Sequence, residues 1–409
     1  DRWFLASLDR KDVLQAVSVS ERAKRRRFLS ALPWGGRLLA LRALLEDPLA
    51  EADNEAALVP RQVLDEFPAY SEVSARAKTV RDELIEGPLL PADSDDPAAV
   101  VERYKNFNET VRQRENLLRT IALGRVPAPQ LVPPLRTAPG LQNSLGAGQV
   151  IVLFHTVAGQ MHGFLLTEKD YHTWQVGRAG DLRKPIAELL RELGNFGPGR
   201  NLTTADLSSV AWRTQAHQLY RRLFANSRLA LGDTAELIIV PDDWLWHLPF
   251  ELLVPIAEAD YDVLIDQALV RYAPTASFAM DSRRTTRRVR HTAIVANESS
   301  GGAGDQFVGQ ALEQLQLTVA GPLPLPTPLP EPAPLVANLL DHLISFDTIS
   351  LNATEPLDWS PLPDDRDRQS VAVGELLMLP WGAPQRVMLT GFSTAAENLN
   401  GAIENAASA

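Results

Sequence analysis

The sequence predicts an α/β protein whose layered sheet region follows an all-α region. Three observations predict it. Apolar residues recur at helical spacing through the first third of the chain; a proline-dense segment then breaks every periodicity; beyond it, short apolar strand runs alternate with helical stretches.

The helical region spans residues 1–125. Ser20 stands before ERAKRRRFLSAL as a cap, Pro33 ends that segment, and Arg37 to Leu45 continues as an apolar helix up to Pro48. The basic run Lys24 to Arg27 reads as a solvated helix face, the alternative being a contact for an acidic partner. Val73, Ala77, Val80 and Leu84 stripe the segment from Ser71 to Gly87, whose glycine is a natural stop. Asp96 caps the next helix and Pro97 suits its first turn, where no intrahelical partner is lost. Val100, Tyr104, Phe107, Val111, Leu118 and Ile121 form its stripe, and Gly124 closes it. The two stripes predict an antiparallel hairpin. No tetratricopeptide period recurs, so the region is at most the remnant of a helical array.

The segment Val126 to Gly140 is too rich in proline for a regular helix or a central strand and reads as a linker over 126–140. Strand signals follow in GQVIVLFHTVAG and MHGFLLTEKDYHTWQVG, joined as a hairpin around Ala158 to Gln160. Helices are expected near Ile186 to Leu193 and Thr204 to Phe224, then a strand at Leu237 to Val240. The arginine-rich stretch Ser282 to His291 separates a first α/β half, 141–282, from a second, 291–409, with 283–290 as a solvated linker. Within the second half, Gly321 to Pro334 reads as a rigid surface loop.

Composition narrows the functions. At 45 % hydrophobic and 22 % charged residues the chain is an ordinary globular protein. A formal net charge of −11 opposes attraction to phosphate backbones, so nucleic acid is not an expected partner. No apolar run reaches the roughly 20 residues of a membrane helix, and the chain opens at Asp1 without a leader-like segment. A soluble, cytoplasmic protein without membrane contact is expected. The absence of cysteine excludes disulfides, thiolate metal sites and a thiol nucleophile together.

The remaining chemistry is thin. Among His155, His162, His172, His217, His247, His291 and His342 no pair has the spacing that sets two imidazoles on one helix face, so no metal is expected. His155 and His162 flank the hairpin turn and read as a polar pair on a strand rim. Neither GxxxxGK[ST] nor GxGxxG occurs, so no cofactor is expected. Ser393 in GFST lacks the GxSxG elbow of a serine nucleophile. Trp244, Trp246 and Phe250 are expected to pack in the core beside the buried strand.

The most specific stretch is LIIVPDDWLWHLPFELL, Leu237 to Leu253, followed by YDVLIDQALVRYAPTASF, Tyr261 to Phe278. With GQVIVLFHTVAGQMHGFLLT before them, these ordered motifs resemble the CHAT domain, a caspase-like peptidase domain of the separase and gingipain clan found in bacterial proteins behind tetratricopeptide repeats. The resemblance covers residues 141 to 395, weakly over the last hundred. It implies a parallel-rich, caspase-like sheet with flanking helices, made of a pseudo-caspase half and a caspase-like half. It also implies that His and Cys stand at the ends of adjacent parallel strands of the second half, where thiolate and imidazole share one crevice.

This sequence departs from that pattern at both positions. The strand expected to end in His-Gly reads FDTISLNATEP, Phe346 to Pro356, with Ser350, Asn352, Thr354 or Glu355 in place of the histidine. The strand expected to carry the cysteine reads RVMLTGFSTA, Arg386 to Ala395, with Phe392 at the nucleophile position. A phenyl ring has neither a nucleophilic atom nor a titratable proton. The expectation is therefore a pseudopeptidase with no catalytic residues, acting through a protein partner such as an active peptidase or a signalling subunit. The alternative is a hydrolase with relocated Ser, Thr or His chemistry. The family continues past the nucleophile with further strands, whereas this chain stops at Ala409. A second chain covering that edge, or a truncated sheet, is the corresponding expectation.

Overall fold

The computed structural model describes residues 1–46, 54–86, 96–124, 135–193, 209–256, 262–280, 290–296, 313–319, 322–325, 338–346, 380 and 386–390. Two sheets organise them. The first has five strands: β1 Gln149–Val157, β2 Gln160–Leu166, β3 Tyr171–Arg178, β4 Glu236–Val240 and β5 Leu269–Tyr272, in the order β3-β2-β1-β4-β5. β1, β4 and β5 run parallel, with Val152 opposite Ile239, while β2 and β3 add antiparallel. The second sheet is parallel throughout, β6 Thr292–Ala296, β7 Pro322–Leu325, β8 His342–Phe346 and β9 Arg386–Thr390, in the order β7-β6-β8-β9. The expected mixed α/β architecture with a parallel-rich sheet is what the chain forms.

The predicted hairpin closes at Ala158 and Gly159, whose φ values of 49° and 74° are those of a primed turn that matches strand twist. β1 shows why its apolar run is nearly continuous. Val150, Val152 and Phe154 face a core built with helices α8 Gly180–Glu192 and α9 Trp212–Phe224. Ile151 and Leu153 face the opposite core, so a strand buried on both sides has no polar face to show.

That opposite layer comes from the N-terminus. Helix α1 Arg2–Asp9 contributes Phe4, α2 Val13–Ala31 contributes Ala16 and Val17, and α7 Ala138–Gln142 contributes Ala138 and Leu141, all buried against Ile151, Leu153, Ile238 and Val240. Phe4, Val17 and Leu141, the larger of these, each contribute about 1.5–3 kcal/mol on burial. The cap of α2 is Asp12, which accepts the Gln15 N–H at 3.0 Å, and Ser20 is a buried interior residue of the helix, not its cap. Sequence alone missed this because the helix begins two turns earlier than its polar run suggests.

Between them and α7 lie α3 Arg37–Glu46, α4 Asn54–Glu66, α5 Pro68–Glu86 and α6 Pro97–Leu123. α5 and α6 form the expected antiparallel pair, with Leu84, Phe107 and Val111 buried together with Leu339, which precedes β8 of the second sheet. Asp96 caps α6 through the Ala98 N–H at 3.0 Å, and Gly124 ends it. Arg81 Nε donates to Asn338 O at 2.8 Å, fixing this hairpin to the chain entering β8. The helices read as one region over 1–125 thus divide, α1 and α2 covering the first sheet and α5 and α6 meeting the second.

Two proline-rich segments differ from their expected form. The end of the segment Val126 to Gly140 enters α7, with Pro139 in the first turn and Thr137 accepting the Gly140 N–H. Residues 322–325, expected to be loop, make β7 on the outer edge of the second sheet, where a strand tolerates missing N–H donors.

Candidate functional site

In an open parallel sheet, side chains leaving the carboxyl ends of the strands share a crevice. At that end of the first sheet, β4 runs into Pro241-Asp242-Asp243, and Asp243 takes a φ of 52° to turn the chain. Asp242 is 3 % exposed. Its Oδ2 accepts the Thr156 N–H from β1 at 2.7 Å, and its Oδ1 accepts from Arg27 Nη1 at 2.9 Å. Lys24 Nζ stands 3.2 Å from the same Oδ1 and donates to Pro241 O at 2.7 Å. The His155 ring lies behind, its Nδ1 3.7 Å from Asp242 Oδ2, beyond hydrogen-bonding range.

Helix α2 makes a second polar contact one turn earlier. The buried Glu21 carboxylate accepts the Ala276 N–H at 2.8 Å, the Ser277 N–H at 2.9 Å and the Ser277 hydroxyl at 2.8 Å. It thereby satisfies the first donors of the short helix α10 Ala276–Ala279, which Thr275 also caps. The run from Glu21 to Arg27 therefore lies against the chain's own sheet through Glu21, Lys24 and Arg27. The reading of Lys24 to Arg27 as a solvated face is corrected at Lys24, which is buried, and at Arg27, which is ion-paired, while Arg26 is exposed: charges at helical spacing look like surface unless their counter-charges, here more than 200 residues away in sequence, are known.

Burial sets the protonation states. It lowers Lys24 from 10.5 to about 8, against the pull of Asp242. It lowers His155 from 6.5 to about 4, so the ring is neutral at pH 7. Burial alone would raise Asp242, but Lys24, the Thr156 N–H and Arg27 together hold it below its ordinary value. Glu21 is raised by burial despite its three donors. The result is a fixed negative charge on Asp242 held between two cations, beside a neutral imidazole.

His155 and His162 are directly opposite in the β1–β2 register, as their places around the turn implied. They are not a rim pair. His155 is 3 % exposed and its ring lies 4.4 Å from that of Phe4, which also meets His162 at 5.6 Å. Phe4, Lys24 and Arg27 thus fill the place where an open sheet would offer a crevice.

Among the described residues, this end of the first sheet brings no imidazole into hydrogen-bonding range of a hydroxyl. His155 and Thr156 are consecutive on a strand and so point to opposite faces. Among the described residues, histidine rings hydrogen-bond to backbone carbonyls: His172 to Asn226 O, His217 to Val254 O and His291 to Ile85 O. None reaches a hydroxyl. Among the described residues no group of three or more metal-ligating side chains converges, and no helix is long and apolar enough to cross a membrane.

In the second sheet β8 and β9 are adjacent and parallel, with Phe346 opposite Thr390. The resemblance set the histidine strand at Phe346 to Pro356 and the cysteine strand at Arg386 to Ala395; β9 lies within the second, whereas β8 meets the first only at Phe346, and residues 347–356 lie outside the described residues. Ser350, Asn352, Thr354, Glu355, Phe392 and Ser393 lie outside the described residues. His342 pairs with Arg386 at the amino end of the strands, and His291 immediately precedes β6. Both imidazoles are therefore at the end opposite the crevice.

The two most specific sequence motifs meet each other. Tyr272 Oη donates to Glu251 Oε2 at 2.6 Å and accepts the Phe250 N–H at 2.8 Å, while Phe250 is fully buried. Trp244 packs beneath the Arg183 guanidinium, 4.4 Å from its ring centre. Trp246, expected in the core, is 48 % exposed, because the short helical turn from Asp243 to His247 carries it outward.

Comparison with known families adds one finding. Residues 213–401 match the family model described as CHAT domain. The match begins inside α9, so β1, β2 and β3 precede it although β1 is hydrogen-bonded to β4 within it. No curated protein matches the chain.

Proposed function

We propose that this chain, which carries a CHAT domain over residues 213–401 and not one cysteine in its 409 residues, is a catalytically silent member of a caspase-like peptidase family that works by binding a protein partner. The absence of cysteine carries the reading. A thiolate nucleophile is the reacting atom of that chemistry, and no side-chain rearrangement supplies one. In the sequence Phe392 follows β9 by two residues, and Ser350, Asn352, Thr354 and Glu355, the positions aligned with the histidine, follow β8 by four to nine; all lie outside the described residues.

The first sheet, the half in which the resemblance implies no dyad, bears on the alternative of relocated chemistry and offers it no open site among the described residues. Its crevice is filled by Phe4, Lys24 and Arg27 of the chain's own helices. What is retained of the family's motifs, Glu251 with Tyr272 and Asp242 with Thr156, maintains the fold and needs no substrate.

The test is turnover. The purified protein, incubated with a diverse peptide library and followed by mass spectrometry, is expected to leave it uncut. Cleavage that copurifies with the protein through orthogonal columns, and that disappears on a Ser393→Ala change, would establish the relocated hydrolase instead. Pull-down of a specific partner from native extract is the expected positive result.

A further inference from the structure

We infer that a cleft on the far side of helix α2 is a docking site for an acidic, apolar-containing peptide of a partner protein. The helix has two working faces. Glu21, Lys24 and Arg27 point to the sheet, while Arg22, Arg25, Arg26 and Leu29, lying about 100° and more around the axis, line a cleft of about 1040 Å³. Trp34 and Arg37 form its other wall. The exposed Arg22, Arg26 and Arg37 thus border one space, with Arg25 buried in its wall and no acidic residue among the described lining residues, in a chain of net charge −11. Guanidinium forks match carboxylates in bidentate geometry.

The walls between the arginines are apolar. Ala122, Leu123 and Leu135 contribute to them, with Leu123 69 % exposed and Trp34 47 % exposed. A ligand that fits must bring both carboxylates and hydrocarbon, as a peptide of alternating acidic and apolar residues does.

Trp34 is also held in an uncommon conformation. Its φ of 57° and ψ of 23° are left-handed, and Gly35 and Gly36 follow at φ 62° and 70°. A bulky residue rarely adopts this backbone, and such strain concentrates at binding sites. Here it directs a large aromatic ring to the mouth of a cationic cleft, and exposed aromatic and arginine side chains together are the usual anchors of protein interfaces.

Two other occupants fit less well. Residues 125–134, which connect Leu123 with Leu135 through Gly124, read RVPAPQLVPP and carry an arginine and no carboxylate, so their charge repeats that of the cleft. A nucleic acid would meet the guanidiniums but would also meet the overall negative charge of the protein. The inference does not depend on the catalytic strand ends: peptidase turnover would overturn the pseudopeptidase reading and leave this cleft as argued.

Fluorescence anisotropy of the full chain with a labelled peptide alternating glutamate and leucine tests it. Binding is expected, weakening steeply with added salt, and a glutamine–leucine peptide is expected to bind at least about tenfold more weakly. The double change Arg22→Glu with Arg26→Glu, at two exposed positions, should lower affinity at least about tenfold. Arg37→Glu, beyond the Trp34 turn, should lower it independently, which guards against a folding defect in α2. Trp34→Ala should lower it several-fold. Equal binding of the acidic and glutamine peptides, unchanged affinity in both charge reversals, or tighter binding of oligothymidine that displaces the peptide would each overturn the inference.

Discussion

Lys24 Nζ lies 3.2 Å from Asp242 Oδ1, with both side chains about 95 % withdrawn from water, and this ion pair fastens the N-terminal helices to the sheet. Lys24→Met would leave Asp242 with Arg27, whose side chain is 54 % exposed, as its remaining cation. A buried carboxylate that loses the buried one of its two counter-charges destabilises a fold by about 3 kcal/mol. Urea denaturation should show that loss. Combining Lys24→Met with Asp242→Asn should cost less than the two single changes added together. Strict additivity would show that the pair does not hold the helix.

Acid should loosen the same region first. Burial depresses His155 from 6.5 to about 4, so below pH 6.5 the unfolded chain takes up a proton that the folded chain refuses. The stability this represents is intact above pH 6.5 and is lost progressively down to about pH 4. At about 1.4 kcal/mol per pH unit the total is on the order of 3 kcal/mol. Asp242, also depressed, adds a loss below its unfolded value of 3.8. Lys24 acts at the alkaline end, where stability should rise between pH 8 and 10.5 as the folded chain sheds a buried charge. Melting temperatures measured from pH 4 to 8 should fall on the acid side, and His155→Gln should flatten that slope.

Tyr272→Phe removes one hydroxyl and two hydrogen bonds. The Phe250 N–H and Glu251 Oε2 lose their partner in a region where Phe250 is fully buried. The expected cost is about 1–3 kcal/mol, read as a lowered denaturation midpoint. A neutral outcome would mean that water replaces the phenol.

Gly163 has no room for a side chain. A Cβ there would enter the Trp174 ring, whose indole N–H donates to Leu223 O at 2.8 Å. Gly163→Ala should force the ring aside and cost about 1–3 kcal/mol, with a shift in tryptophan emission that reports the displaced indole.

What the sequence revealed and what it hid divide by range. The hairpin at Ala158, the strand ending at Val240 and the paired helices around Leu84 and Phe107 were legible because alternation, stripes and caps are written in neighbouring residues. The burial of Glu21 and Lys24 was not, because a charged residue is buried only by virtue of its partner, and the partners come from Asp242 and Ser277. One signal was available: a buried strand that ends in two aspartates demands a cation from elsewhere in the chain. Proline misled at residues 322–325, since an edge strand needs fewer donors than an interior one. The resemblance of the two motifs was visible, but their role in binding each other, Glu251 to Tyr272, required the fold.

β1 lies outside the span that matches the family, yet it is the neighbour from which β4 draws its ladder, and its far face is roofed by Phe4 and Val17. The hereditary module and the mechanical one consequently have different borders. Excising residues 213–401 would tear a seam through the middle of a sheet, leaving β4 a sticky margin without its mate. A piece that starts before β1 keeps that seam, and one that starts at the first helix keeps its roof as well.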